Sequence, residues 1–248
     1  MRLLPVLALL ILGACAQVVT PPPPEMAPPD KGALPLPPAA PTQVAPGVPP
    51  RLDGRTAVRN FVTVVETIEP VAEEVCRQQS PGFNCDFQIF VDDTINAPPN
   101  AFQTEDEAGN PIIVFTVPLI AEARNQDELA FILAHEAAHH IEGHLSQARR
   151  NAAIGAGILT TLVGGAADAR TLETAQQLGA AIGARTYSKE FELEADALGA
   201  LIAKTAGYDP LRGAEFFFRI PDPGDSFLGT HPPNAQRFET VQRVSNAL

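Results

Sequence analysis

The stretch LAHEAAHHIEGH, Leu133–His144, carries four of the chain's five histidines, and only His231 lies elsewhere. His135 and His139 are four residues apart. On an α-helix four residues advance about 400°, which sets the two rings roughly 40° apart and one turn along the axis. Both can then reach one ion at about 2.0–2.1 Å. Glu136 follows His135 directly and projects to the side of such a site. This is the HExxH spacing: two zinc ligands and a general base. A zinc ion lowers the pKa of a water toward about 7, and a glutamate beside it can take the proton as the water attacks a carbonyl.

A catalytic zinc takes three protein ligands. The pattern with glycine at +7 and a third histidine at +10 from His135 fails, because Glu142 and Leu145 occupy those positions. Gly143 and His144 fall one position early. The other arrangement draws a glutamate from a second helix, and the candidate segment is YSKEFELEADALGA, Tyr187–Ala200.

Charge and composition narrow the partners. The 248-residue chain has a formal net charge of −12 and is 45% hydrophobic. A nucleic-acid binder would carry a basic stripe, and a polybasic membrane-surface protein would carry clustered lysine and arginine, so neither class fits. Prolines are biased to one place: of 25 in all, 13 fall between Pro21 and Pro50.

The N-terminus reads as an export signal. MRLLPVLALLILGAC has one positive charge, Arg2, then an apolar run from Leu3 to Leu12, then small residues. The run is shorter than the roughly 20 residues that a bilayer span needs. Leu12-Gly13-Ala14-Cys15 resembles the bacterial lipobox, which implies lipidation of Cys15; a plain signal peptide with an incidental cysteine is the alternative. Ala16 after the cysteine points to the outer rather than the inner membrane. Residues 1–14 are then a lipoprotein signal peptide, and 15–50 a lipid-anchored Pro-rich tether that buries too little to offset its ordering entropy. Proline stiffens such a tether toward polyproline II, at about 3.1 Å per residue. Cys76 and Cys85 flank RQQSPGFN with its Pro-Gly turn. In an oxidising compartment they read as a disulfide, the alternative being two buried free thiols.

The folded domain is expected over 51–248. Arg55–Gln79 reads as a helix with Val58, Phe61, Val62, Val65 and Ile68 on one face, kinked or split at Pro70. Asp86–Thr94 and, after an acidic turn, Asn110–Ile120 read as strands. Asn125 and Glu128 resemble a capping box opening the histidine helix. Further helices are expected through Asp196 and near Leu211–Arg219. Helices outnumber strands, so the class is α+β with a small sheet.

YSKEFELEAD resembles the Glu-x-x-x-Asp helix of the HtpX-like and CAAX-prenyl-protease zinc peptidases. The resemblance implies Glu192 as third ligand and Asp196, one turn on, as acceptor for a ligand histidine's free N–H. Glu190 and Glu194 are nearby acids on the same segment. His144, AGYDP (Ala206–Pro210) and THPPNAQRF (Thr230–Phe238) resemble further landmarks, among them His231 and Arg237. The likeness runs from about Asn96 to Phe238. It implies a mainly helical zincin-type domain whose edge strand precedes the zinc helix, with an extended substrate adding to that edge near Ile112–Val117. Membrane-embedded members have long apolar spans, whereas Ala152–Ala167 is short of a span and contains glycines. A soluble, exported member is implied.

Side chains outside the motif carry blander readings. His140 points away from the ion, and His144 reads as a packing or hydrogen-bonding residue. His231 precedes two prolines; it is a turn residue, an oxyanion donor or a fourth, inhibitory ligand. Arg237 is expected to brace that loop. Ala152–Ala167 is a lid, a membrane contact or, with burial leading, a core helix. Two functions remain. One is a zinc endopeptidase of the bacterial periplasm; the other is a non-enzymatic zinc-stabilised binding or chaperone-like lipoprotein. An intact Glu136 favours the first.

Overall fold

The structure, a computed structural model, describes residues 51–164, 167–185, 188–221 and 232–248. The signal peptide, Cys15, the tether and His231 lie outside the described residues.

Helix α1, Gly54–Gln79, starts at Asp53, whose side chain accepts from the Thr56 N–H. It runs unbroken through Pro70, so the expected split is absent. Proline removes the N–H that would reach Glu66, but Pro70 and Glu66 are both exposed, and water can take that carbonyl. The buried face is Ala57, Phe61, Val64, Ile68, Ala72 and Cys76. Val58 and Val62, assigned to that face from sequence, are solvent-facing at 59% and 47% exposure.

The sheet has three strands: β1 (Gln88–Asp92), β2 (Ala101–Glu105) and β3 (Pro111–Thr116), in the order β1-β3-β2. β1 pairs parallel with β3, and β2 pairs antiparallel with it. The segment Ile112–Val117 is therefore not an edge. β3 is the central strand, and β2, absent from the sequence reading, is the edge that continues toward the site. β3 also stops earlier than expected: Thr116 caps helix α2, Val117–Glu122, by accepting from the Leu119 N–H. Ile113 and Phe115 point into the core, where Phe115 meets Phe61 at 5.1 Å between ring centres.

Helix α3, Gln126–Ile141, is central and buried on most sides. Asn125 caps it by accepting from the Glu128 N–H. Glu128 in turn accepts from the Arg124 N–H at 2.8 Å and is gripped by both Arg219 amines, at 2.8 and 2.5 Å. Ala134, Ala137 and Ala138 keep its surface low, so neighbours approach closely. α1 packs on one side and α6, Ser188–Thr205, on another. At the α6 crossing a Cβ added to Gly199 would lie 3.0 Å from the His135 backbone. Only glycine lets the two helices come this close.

In chain order between α3 and α6 come α4, His144–Val163, and α5, Ala169–Arg185, which pack as a hairpin. Their contact is backbone on backbone: a Cβ at Gly155 would sit 2.1 Å from the Gly179 carbonyl oxygen, and one at Gly183 would sit 2.0 Å from that of Asn151. Within the 152–164 part of this segment, Ala152, Gly155 and Ala156 serve this contact. Ile154, Ile158, Leu162 and, on α5, Leu178 remain exposed. The expectation of a core helix there is corrected. Among the described residues no helix is long and apolar enough to cross a membrane.

The Leu211–Arg219 segment is helix α7, Pro210–Ala214, followed by a 3₁₀ turn, Glu215–Phe218. Helix α8, Asn234–Ser245, closes the chain and packs on α6.

Cys76 and Cys85 form a disulfide. The nine-residue step it closes holds the end of α3: Ser80 Oγ donates to the Ile141 carbonyl at 2.6 Å, and His140 Nε2 donates to the Asn84 carbonyl at 2.7 Å. His140 sits between Phe83 and Phe87, 5.6 and 5.5 Å away, as a structural residue. Replacing both cysteines by alanine is expected to lower stability by roughly 2–3 kcal/mol through the freed loop entropy of the unfolded chain. Denaturant midpoints of the parent and the double variant measure it.

Candidate active site

The buried α3–α6 crossing sets the site. His135 and His139 lie one turn apart on α3, and their Nε2 atoms are 3.1 Å from each other. Glu192, in the second turn of α6, brings one carboxylate oxygen to 3.6 Å from His135 Nε2 and the other to 3.4 Å from His139 Nε2. Donors of a four-coordinate zinc with bonds of about 2.0–2.1 Å stand roughly 3.4 Å apart. The three spacings lie near that edge length, with a different carboxylate oxygen facing each imidazole, and the set of two imidazoles and a carboxylate suits a divalent transition metal.

The groups behind this set fix its orientation. Asp196, one turn after Glu192 and fully buried, is 3.0 Å from His135 Nδ1. The imidazole can donate there and leave its Nε2 lone pair facing Glu192. Burial works against protonation of His135, yet the hydrogen bonds to Asp196 and Glu192 outweigh it and hold the ring up at about 9. A metal at Nε2 therefore displaces a proton.

Arg237 enters from α8. Its Nε and Nη2 donate to the two Asp196 oxygens at 2.8 and 2.7 Å, and Nη2 lies 3.4 Å from Glu192. Its guanidinium lies over Phe217 at 4.2 Å. Burial opposes its charge, but Asp196 and Glu192 raise it above the ordinary arginine range. Arg237 was expected to brace the loop around His231. That loop lies outside the described residues; among the described residues the partners of Arg237 include the two acids of α6 and His135.

His144 is the group whose role the sequence left open. Gly143 turns the chain at φ 70°, which only glycine adopts freely, and drops His144 back beneath His139. The two Nδ1 atoms are 2.9 Å apart. Burial pushes His144 down to about 3, and His139 pushes the same way. Glu194, set aside from sequence as a near neighbour of the ligand, accepts from His144 Nε2 at 3.0 Å. Glu190 is exposed on α6.

Glu136 is half-buried and lines a cavity of about 800 Å³ together with His135, His139 and Glu192. Edge-strand residues Ala101, Phe102 and Gln103 form one wall. Ile132, Phe216 and Ile220 make another part of it apolar.

A buried His-His-Glu set on two crossing helices, with an acid one residue after the first histidine facing an open cleft beside a sheet edge, defines a metallopeptidase-type domain. Comparison with known proteins places it within that class. Peptidase family M48 matches residues 60–245, and the chain belongs to this family. Members of the family are metalloproteases. The chain is also 32% identical over 113 residues to a protein of Vibrio cholerae serotype O1 named as a beta-barrel assembly-enhancing protease. That match covers 42% of this chain and 23% of the relative, so the chain spans under a quarter of the length of the protein it resembles.

Proposed function

We propose that this protein is a zinc-dependent endopeptidase of the bacterial cell envelope. The observation that carries the reading is Glu136 on the open cavity next to three donors at zinc spacing. A closed structural site has no use for that carboxylate. When bound, zinc supplies Lewis acidity and lowers the pKa of water toward about 7. His135, His139 and Glu192 hold it, Asp196 orients His135, and Glu136 accepts the proton of the attacking water and passes it to the leaving amine.

The substrate chain lies extended against the outer edge of β2, at Ala101–Gln103, rather than along Ile112–Val117. Free backbone groups on a sheet edge pair with an extended peptide, and this edge lies along the cavity wall. The name of the Vibrio relative and the N-terminal signal support a role in envelope protein quality control from a lipid anchor at Cys15, in the outer membrane.

Cleavage of an unstructured protein such as casein, measured with and without a chelator, tests the activity. Loss with chelator and recovery on adding zinc are expected. Intact zinc loading with no cleavage of any unstructured substrate would favour the closed, binding-only reading. The anchor is tested separately: Cys15→Ser is expected to abolish acylation and move the protein out of the membrane fraction, and unchanged labelling by palmitate would rule the anchor out.

A further inference from the structure

The two histidines of the donor set are supported unequally by their immediate neighbours. His135 Nδ1 meets the Asp196 carboxylate directly, at 3.0 Å. His139 Nδ1 meets another imidazole, that of His144, at 2.9 Å. Two ring nitrogens at that distance share a single proton, and either ring could donate it. The far side of His144 decides which one does. Its Nε2 is 3.0 Å from Glu194 Oε2, and a carboxylate only accepts. His144 therefore carries its proton on Nε2 and turns a lone pair toward His139. His139 must then donate from Nδ1, which leaves its Nε2 lone pair pointing at His135 Nε2 and Glu192. The opposite order would place a proton on His139 Nε2, where a metal has to bind.

The rest of the geometry holds the His144 ring in this pose. It is 4% exposed and stacks on Phe191, with ring centres 4.5 Å apart and planes 13° off parallel. The left-handed Gly143 sets where it enters. Phe191, Glu192, Glu194 and Asp196 all come from α6. One helix thus provides a donor, Glu192, and, two and four residues further on, the acids behind the two histidines: Glu194 acting through His144 and Asp196 directly.

We propose that His144 and Glu194 form a positioning relay that fixes His139 as its Nδ1–H tautomer and presents Nε2 to the metal position. The proposal rests on the reading that His135, His139 and Glu192 hold a metal. His144 borders the cavity at 4% exposure, and both residues act through His139.

Zinc affinity of the purified full chain, by competition with a chromophoric chelator, provides the test. His144→Phe keeps the ring and its stacking but has no acceptor, and is expected to lose about 10- to 100-fold in affinity. His144→Asn restores an acceptor near the Nδ1 position and should stay within about threefold of the parent. Glu194→Ala is expected to lose a few-fold, since that side chain is 57% exposed and water replaces part of its effect. A purely structural His144 would shift the melting temperature of His144→Phe and leave its zinc affinity at the parent value, and that result overturns the relay. Nitrogen-15 NMR of the metal-free parent reads the tautomers without any substitution and decides the matter if a variant does not fold. His139 protonated at Nδ1 and His144 at Nε2 are expected, and His139 protonated at Nε2 overturns the proposal. If the parent binds zinc no better than His135→Ala/His139→Ala, the metal reading fails, and the tautomers still report on the relay.

Discussion

Glu136→Gln is expected to lower peptide hydrolysis by at least about 10²-fold while zinc content and melting temperature stay at parental values. Glutamine keeps the size and one hydrogen-bonding oxygen of glutamate but cannot take a proton. Glu136 lies on the cavity wall and is outside the three-donor set, so the change leaves the metal position intact. Two measurements are needed together: turnover on an unstructured substrate, and metal per chain by elemental analysis. Near-parental turnover would remove Glu136 from the mechanism. Lost zinc with lost turnover would make it a ligand or a structural residue instead.

The second large effect is on stability. Arg237→Ala is expected to cost roughly 3–5 kcal/mol in the metal-free protein, because it removes one of the two cationic partners of a fully buried carboxylate. Asp196 is fully buried and takes two hydrogen bonds from this one guanidinium. Glu192 lies 3.4 Å from the same group. With Arg237 gone, His135 is the cation left beside two acids. Added zinc should recover part of the loss, since a ligand that binds only the folded state stabilises it, and this one brings positive charge to Glu192. Arg237→Lys keeps the charge but not the two-pronged geometry, and should fall between. Chemical denaturation with and without zinc measures all three. A loss under about 1 kcal/mol for Arg237→Ala would mean that the ion pair is offset by the cost of burying it.

Much of the site could be read from short-range spacing. Four-residue steps on a helix place His135 with His139, and Glu192 with Asp196, whatever the rest of the fold does. The Asn125 cap, the β-branched run of β3 and the Cys76–Cys85 pair are likewise local patterns. β2 escaped notice because AFQTE is brief and only partly apolar, and its partner lies across a turn. Val58 and Val62 were misassigned for a related reason: apolar residues on α1 exceed what its neighbours cover, and periodicity alone does not tell which stripe they cover.

The errors that bear on function came from long-range packing. Ile112–Val117 has the composition of a strand in either position, and only the pairing of both β1 and β2 with β3 makes it central. Ala152–Ala167 has the small, apolar composition of a buried helix. Gly155 is used against α5, and nothing in the segment itself reveals that Ile154, Ile158 and Leu162 stay exposed. By itself, then, the sequence determined the helical register that sets His135 beside His139 and Glu192 beside Asp196, because each pair lies one turn apart. The tertiary structure decided which acids stand behind which histidine, which strand edge borders the cleft and what Arg237 grips. Those contacts join residues 41 to 102 positions apart, and their partners are chosen by how α3, α6 and α8 cross.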